Sequence, residues 1–248
     1  MSATTAYRWT SASRSSVGNV REVNEDACLD MPAQGLWVVA DGMGGHSAGD
    51  VASQMLVGKL EGVATHDRFG DFVEDVEDRV LEVNSRLHSL SIRDEQPRVI
   101  GTTLAALLAN GSYAVAMWVG DSRVYRLRDG EFEQITTDHS EVNEMVAQGK
   151  ITAEEAEDHP SANIVTRAVG GLETVYVDLD LLELKDEDRF LICSDGLFKD
   201  VSTDEMKDMV GTGSCVEACD ALVDTVLSRE APDNVTVVIV EFTASDTE

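Results

Sequence analysis

A chain of 248 residues, 43% of them hydrophobic, can bury a substantial core as one large domain or two small ones. Its 47 acidic residues against 19 basic ones give a formal net charge of −28, which argues against nucleic-acid binding, since that affinity comes from Lys and Arg neutralising phosphates. The polar start MSATTAYRWTSASRSS lacks the apolar stretch of a secretory signal, and no run reaches the roughly 18 apolar residues of a membrane span.

Cys28, Cys193, Cys215 and Cys219 form no CxxC pair, so a cytoplasmic protein with reduced thiols and no membrane contact is expected. Residues 36–40 are the first apolar run and read as a strand that ends at Asp41. Phe69, Val73, Val76, Val80, Val83, Leu87 and Leu90 then recur in steps of four and three, the seam of one long helix lying on a sheet. Strand-like runs follow at 103–109, 113–119 and 123–127, and Arg128-Asp129-Gly130-Glu131 is a hairpin turn signal within a meander that reaches Ile135. Residues 137–171 hold two short amphipathic pieces, 142–147 and 152–157, broken at His159-Pro160. Thr152-Ala-Glu-Glu155 and Ser214-Cys-Val-Glu217 have the capping-box pattern of helix starts. Runs at 190–193 and 235–242 complete the strands. Adjacent strands joined by hairpins, with helices in separate blocks, predict an α+β fold, and no repeat or linker divides residues 1–248.

Three of the runs end alike, LWVVAD at Asp41, AMWVGD at Asp121 and FLICSD at Asp195. Asp233 stands in the mirror arrangement, where Pro232-Asp233-Asn234 leads into VTVVIVEF. One Asp at a strand end is usually a turn residue bonded to its own backbone. Four at the rim of a core are costly as ions unless something compensates them. Mg²⁺ and Mn²⁺ are natural compensators, because hard cations take carboxylate, carbonyl and water oxygens. The His and Cys ligands that would suggest zinc are missing from these corners. Gly42-Met43-Gly44-Gly45 is no phosphate loop: no Lys follows it, and its spacing does not match Gly-x-Gly-x-x-Gly. These glycines let the backbone pass close to a cation, with the Gly42 carbonyl as an available ligand.

In chain order, Gly18-Asn-Val-Arg21-Glu-Val-Asn24-Glu25-Asp26, Asp41-Gly42-Met43-Gly44-Gly45, Gly120-Asp121-Ser122-Arg123, Ser194-Asp195-Gly196 and Asp233-Asn234 resemble the boxes of the metal-dependent protein phosphatases of type 2C. The bacterial branch of this PPM family is the closer match. The resemblance implies a central sandwich of two antiparallel sheets flanked by helices on both outer faces. It implies that Asp41, Asp195 and Asp233, with the Gly42 carbonyl, form the catalytic metal site for two Mn²⁺ or Mg²⁺ ions. Glu25 and Asp26 would act mostly through metal-bound water, Arg21 would grip the substrate phosphate, and Asp121 could help to hold a third metal. Two such cations about 3.5–4 Å apart can share a water and lower its pKa toward neutrality. The implied reaction is direct in-line attack of that hydroxide on phosphoserine or phosphothreonine in proteins, opposing a bacterial Ser/Thr kinase.

Many eukaryotic relatives carry a histidine, proposed as general acid, where this chain has Met43, which has no proton to give. His46 reads as a surface residue at a helix start, which leaves metal-bound water as the proton source. Bacterial relatives place a mobile flap at 137–171, and here it is expected to shape the choice of protein substrate. Two other readings keep the same fold. A catalytically silent phosphoprotein-binding domain is disfavoured by the presence of all three metal aspartates, and a metallohydrolase of small phosphate esters remains open.

Overall fold

A computed structural model describes residues 7–44, 48–92, 99–157 and 159–245. The chain runs through β1 (Tyr7–Ser16), β2 (Asp26–Met31), β3 (Leu36–Met43), α1 (Ala48–Leu60) and α2 (Phe69–Ser91). A short β4 (Gly101–Thr102) precedes β5 (Leu104–Asn110), β6 (Tyr113–Val119), β7 (Arg123–Arg128) and β8 (Glu131–Gln134). Then follow α3 (Glu141–Ala147), α4 (Ala153–Glu157), β9 (Asp178–Glu183), β10 (Arg189–Cys193), α5 (Asp195–Phe198), α6 (Thr203–Val210), α7 (Cys215–Leu227) and β11 (Val235–Ala244).

The strands form two antiparallel sheets, ordered β1-β11-β10-β7-β8 and β2-β3-β5-β6-β9, with β4 paired to β3. Strand β11 shows why they stack. Its Val235, Val237 and Ile239 face α7, while Val238, Val240 and Phe242 enter the layer between the sheets beside Trp37 and Phe190. A strand covered on both faces reads as a near-continuous apolar run, interrupted here only by Thr236 and Glu241 between Val235 and Phe242. Each such side chain taken from water stabilises the fold by about 1.5–3 kcal/mol. On the other outer face α1 and α2 cover β3, β5 and β6, with Leu56, Leu60, Val76, Val80 and Leu87 fully buried. The expected sandwich with helices on both outer faces is therefore present.

Local signals hold at several joints. Asp129 (φ 52°) and Gly130 (φ 78°) both take the left-handed conformation that a two-residue hairpin needs, with Arg128 paired to Glu131. The Thr152–Glu155 and Ser214–Glu217 capping boxes both close. The seam on α2 is shifted at its start: Phe72 is buried, whereas Phe69 and Val73 pack at the edge. Sequence reasoning missed β1, whose ten residues all pair with β11, because its run of Ser, Thr and Arg is only half-buried. Strands β2 and β9 and the Ser202–Glu205 capping box of α6 were also unread.

Topology places the four aspartates together. Strands β3 and β6 flank β5 antiparallel to it, so they run parallel to each other and end on the same side. Strands β10 and β11 are antiparallel, so the end of one lies beside the start of the other.

Candidate active site

One cavity of about 560 Å³ at this end of the sandwich is lined by Arg21, Glu25, Asp41, Gly42, Asp121, Asp195 and Asp233, with Met43, Thr103, Lys199 and Asn234. All the sequence-predicted residues are gathered here except Asp26, which lies behind the wall. Gly45 and His46 lie outside the described residues.

Each corner is stitched by short contacts. The Asp41 N–H donates to Thr103 Oγ1 at 2.9 Å, and its carbonyl accepts from Thr103 N at 2.8 Å and Thr102 Oγ1 at 3.0 Å. Asp121 follows Gly120, whose φ of 104° suits glycine. His139 grips that glycine on both sides: its backbone N–H donates to Gly120 O at 2.9 Å, and its Nδ1 accepts from Gly120 N at 3.0 Å. Its other ring nitrogen therefore carries the proton and donates to Asp178 at 3.0 Å. Asp195 opens α5 and pairs with Lys199. Asp233 caps Asn234 N through Oδ1 at 2.9 Å and accepts from Arg21 through Oδ2 at 2.9 Å.

Asn234 and Ser194 tie the corners to one another. The Asn234 side chain accepts from Glu25 N at 2.8 Å and donates to Val17 O at 2.9 Å and Val23 O at 3.1 Å, holding the loop that carries Arg21 and Glu25. Ser194 Oγ accepts from Thr236 N at 3.0 Å and donates to Asp26 Oδ2 at 2.7 Å, joining the two sheets under the cavity. Gly49 supplies room: a Cβ there would lie 2.6 Å from Gly42 O and 2.7 Å from Glu25 Oε1. A carbonyl and a carboxylate oxygen thus face the same small space.

Burial and mutual repulsion shape the charges. Burial pushes Asp41 well above the usual carboxylate range, and Asp26, Asp195, Asp121 and Asp233 add to the rise. Burial likewise raises Asp26 to about 7, against hydrogen bonds from Ser194 and Thr236 that lower it. Asp121 also rises to about 7, by burial and then by Asp195 and Asp138. Asp26 Oδ1 is buried without a hydrogen-bond partner. Among the described residues, no three Asp, Glu, His or Cys side chains are yet drawn together as a ligand cluster. Lys199, Arg21 and Ser194 instead hold the carboxylates of Asp195, Asp233 and Asp26. A repelling set of oxygen donors, with the Gly42 carbonyl and an orphaned buried oxygen beside it, suits a hard divalent cation.

The segment 137–171 borders the cavity by its returning arm. Asn163 and Val165 line the cavity, and the arm is pinned by Glu141 N to Ile164 O at 2.9 Å and Thr166 N to His139 O at 2.8 Å. Asn84 of α2 anchors its exit, accepting from Gly170 N at 2.6 Å. Lys199, Asn163 and the Asn234 clasp were not recognised from sequence. Lys199 alone had a readable signal, standing four residues after Asp195 on the same short helical turn.

A family model described as protein phosphatase 2C matches residues 15–237. Serine/threonine protein phosphatase PstP of Mycobacterium tuberculosis is 37% identical over 235 residues, which cover 95% of this chain and 45% of that protein. The chain thus spans about half the length of that relative. Among solved structures, PppA, described as a key regulatory component of the type VI secretion system in Pseudomonas aeruginosa, superposes with a TM-score of 0.88 at 40% identity, covering 96% of this chain and 99% of that one. The catalytic domain of PstP in complex with two manganese ions gives 0.85 at 35% identity, with 96% and 99% covered. With sequence and fold in agreement, the chain belongs to the protein phosphatase 2C family of metal-dependent Ser/Thr protein phosphatases.

Proposed function

We propose that this chain removes phosphate from phosphoserine and phosphothreonine in proteins and needs Mn²⁺ or Mg²⁺ to do so. The observation that carries this reading is the convergence of Asp41, Asp195 and Asp233, from both sheets, on one acidic cavity that also receives Arg21. Asp41, Asp195, Asp233 and the Gly42 carbonyl would hold two divalent ions, which when bound bring the pKa of a shared water toward neutrality.

The chain's own groups do the rest. Arg21 is half-exposed on a loop and bonded to Asp233, so its guanidinium can turn to a phosphate and grip two oxygens at once. Asp233 is then released as a ligand. Glu25 stands at the edge of the space left by Gly49, where it orients water, and Asp26 supports Ser194 from behind. In this reading the lining carboxylates of Asp41, Asp195 and Asp233 are taken up as ligands, and water attacks in line without a phosphoenzyme. Met43 lines the cavity and cannot protonate the leaving oxygen, a role this reading gives to water.

The reading includes one catalytic domain over residues 1–248, with 137–171 as a flap that meets the protein substrate through Asn163 and Val165. It also includes a cytoplasmic location opposite a Ser/Thr kinase. All four cysteines are unpaired, and no described helix is long and apolar enough to cross a membrane. The test is phosphate release from a phosphothreonine protein and from p-nitrophenyl phosphate, each with Mn²⁺ and with chelator. Manganese-dependent turnover that favours the protein supports the reading. A preference for the small ester by kcat/KM would refute it in favour of a small-ester hydrolase, and folded, metal-loaded protein without turnover would refute it in favour of a silent binding domain.

A further inference from the structure

Resting on the metal-site reading above, we propose that Lys199 is a built-in cation of this site, holding the corner between Asp195 and Asp121 so that the chain binds two divalent ions there and excludes a third. Helix α5 is a single turn, and Lys199 caps it four residues after Asp195, with its N–H donating to Asp195 O at 3.1 Å. That spacing puts both side chains on one face. The Lys199 ammonium bonds Asp195 Oδ2, and both side chains line the same cavity as Asp121. With Oδ2 engaged by Lys199, Asp195 would meet a divalent ion through Oδ1.

The turn itself is anchored. Phe198, beside Lys199, lies under the Arg123 guanidinium, whose carbon is 3.5 Å from the ring centroid. Arg123 is in turn clamped to Asp138, at 3.0 Å through Nε and 2.7 Å through Nη2. The Lys199 stem therefore starts from a fixed point rather than a loose loop.

The charges agree with the geometry: the ammonium stands in a cavity lined by Asp41, Asp121, Asp195 and Asp233. An ammonium is a compact charge with three donors, so it can serve one carboxylate and still face another. A divalent ion set between Asp121 and Asp195 would meet that ammonium at short range and be repelled. No second lysine is found among the described lining residues. Arg21, the other cation, is committed to the far corner at Asp233.

The experiment counts ions instead of turnover. Manganese is titrated into the full chain by calorimetry, with bound and free Mn²⁺ measured by electron paramagnetic resonance, for the parent, Lys199→Met, Lys199→Gln and Lys199→Met/Asp121→Asn. Two ions are expected on the parent and a third on both single variants, and the Asp121 change should remove that third ion again. Three ions on the parent, or two on both single variants, would overturn the inference while leaving the phosphatase reading intact. No bound manganese on a folded parent would overturn the metal reading and the inference with it.

Discussion

Replacing Asn234 with alanine tests whether one side chain holds the catalytic loop. The asparagine accepts from Glu25 N at 2.8 Å and donates to Val17 O and Val23 O at 2.9 and 3.1 Å, and only 6% of it is exposed. Alanine removes all three bonds and leaves the Glu25 N–H and the Val17 and Val23 carbonyls without the side chain that ties them together. At about 1 kcal/mol for each bond, the expected loss is about 3 kcal/mol. For a domain of this size that is a fall in Tm of about 6–12 °C. Calorimetry and urea unfolding of the two proteins measure it. Because the loop from residue 17 to 25 carries Arg21 and Glu25, KM for a phosphoprotein should rise as well. Asn234→Asp should be no better, since it keeps one acceptor, loses both donated bonds and adds charge beside Asp233. A loss below about 1 kcal/mol would refute the clasp, since the three bonds would then be worth less than one ordinary hydrogen bond.

Three further outcomes follow from the same contacts. Gly196→Ala would set a Cβ 1.9 Å from Asn234 O, where neither partner is a flexible side chain, so the Asp195 and Asp233 corners must separate. Overpacking of this kind costs about 1–3 kcal/mol, and a melt with a manganese titration should show both lost stability and weakened binding. Arg21→Ala should change stability by less than about 1 kcal/mol, because the Asp233 pair is half-exposed, yet lower kcat/KM by about 10–100-fold, with Arg21→Lys restoring only part. Asp26 and Asp121 are raised to about 7 from 3.8, so between those values the folded chain binds more protons than the unfolded one. Their contribution to metal-free stability therefore falls as pH rises through about 7, and the gain in Tm on adding Mn²⁺ should be larger above that pH than below it. A gain that shrinks as pH rises would contradict the placement of these carboxylates.

How far the sequence could be read depends on what each residue packs against. Strand β11 was plain because both its faces are buried and most of its positions from Val235 to Phe242 are apolar. Strand β1 pairs along its whole length with β11, yet its outer face meets water and its hydroxyls leave no apolar period to find. The four aspartates were legible because each closes an apolar run, and strand direction then gathers them. What lies between them was not. Asn234 was visible as the neighbour of Asp233, but nothing local says that it reaches back more than two hundred residues to Val17 and Val23. Asp26 belonged to a recognisable box, while its position under Ser194 depends on how the two sheets meet. Lys199 shows in sequence only its spacing from Asp195, and that Asp121 shares a cavity with both comes from the fold.

The most direct measurement is the initial rate of phosphate release from a phosphothreonine protein as Mn²⁺ is added to chelator-treated chain, beside Asp195→Ala with its fold verified by calorimetry. The account predicts no turnover without metal, a rate that rises and saturates with manganese in the parent, and loss of most of that rate in the variant. Turnover that survives the chelator, or an Asp195→Ala protein as active as the parent, would contradict the claim that these aspartates hold the metal that does the chemistry.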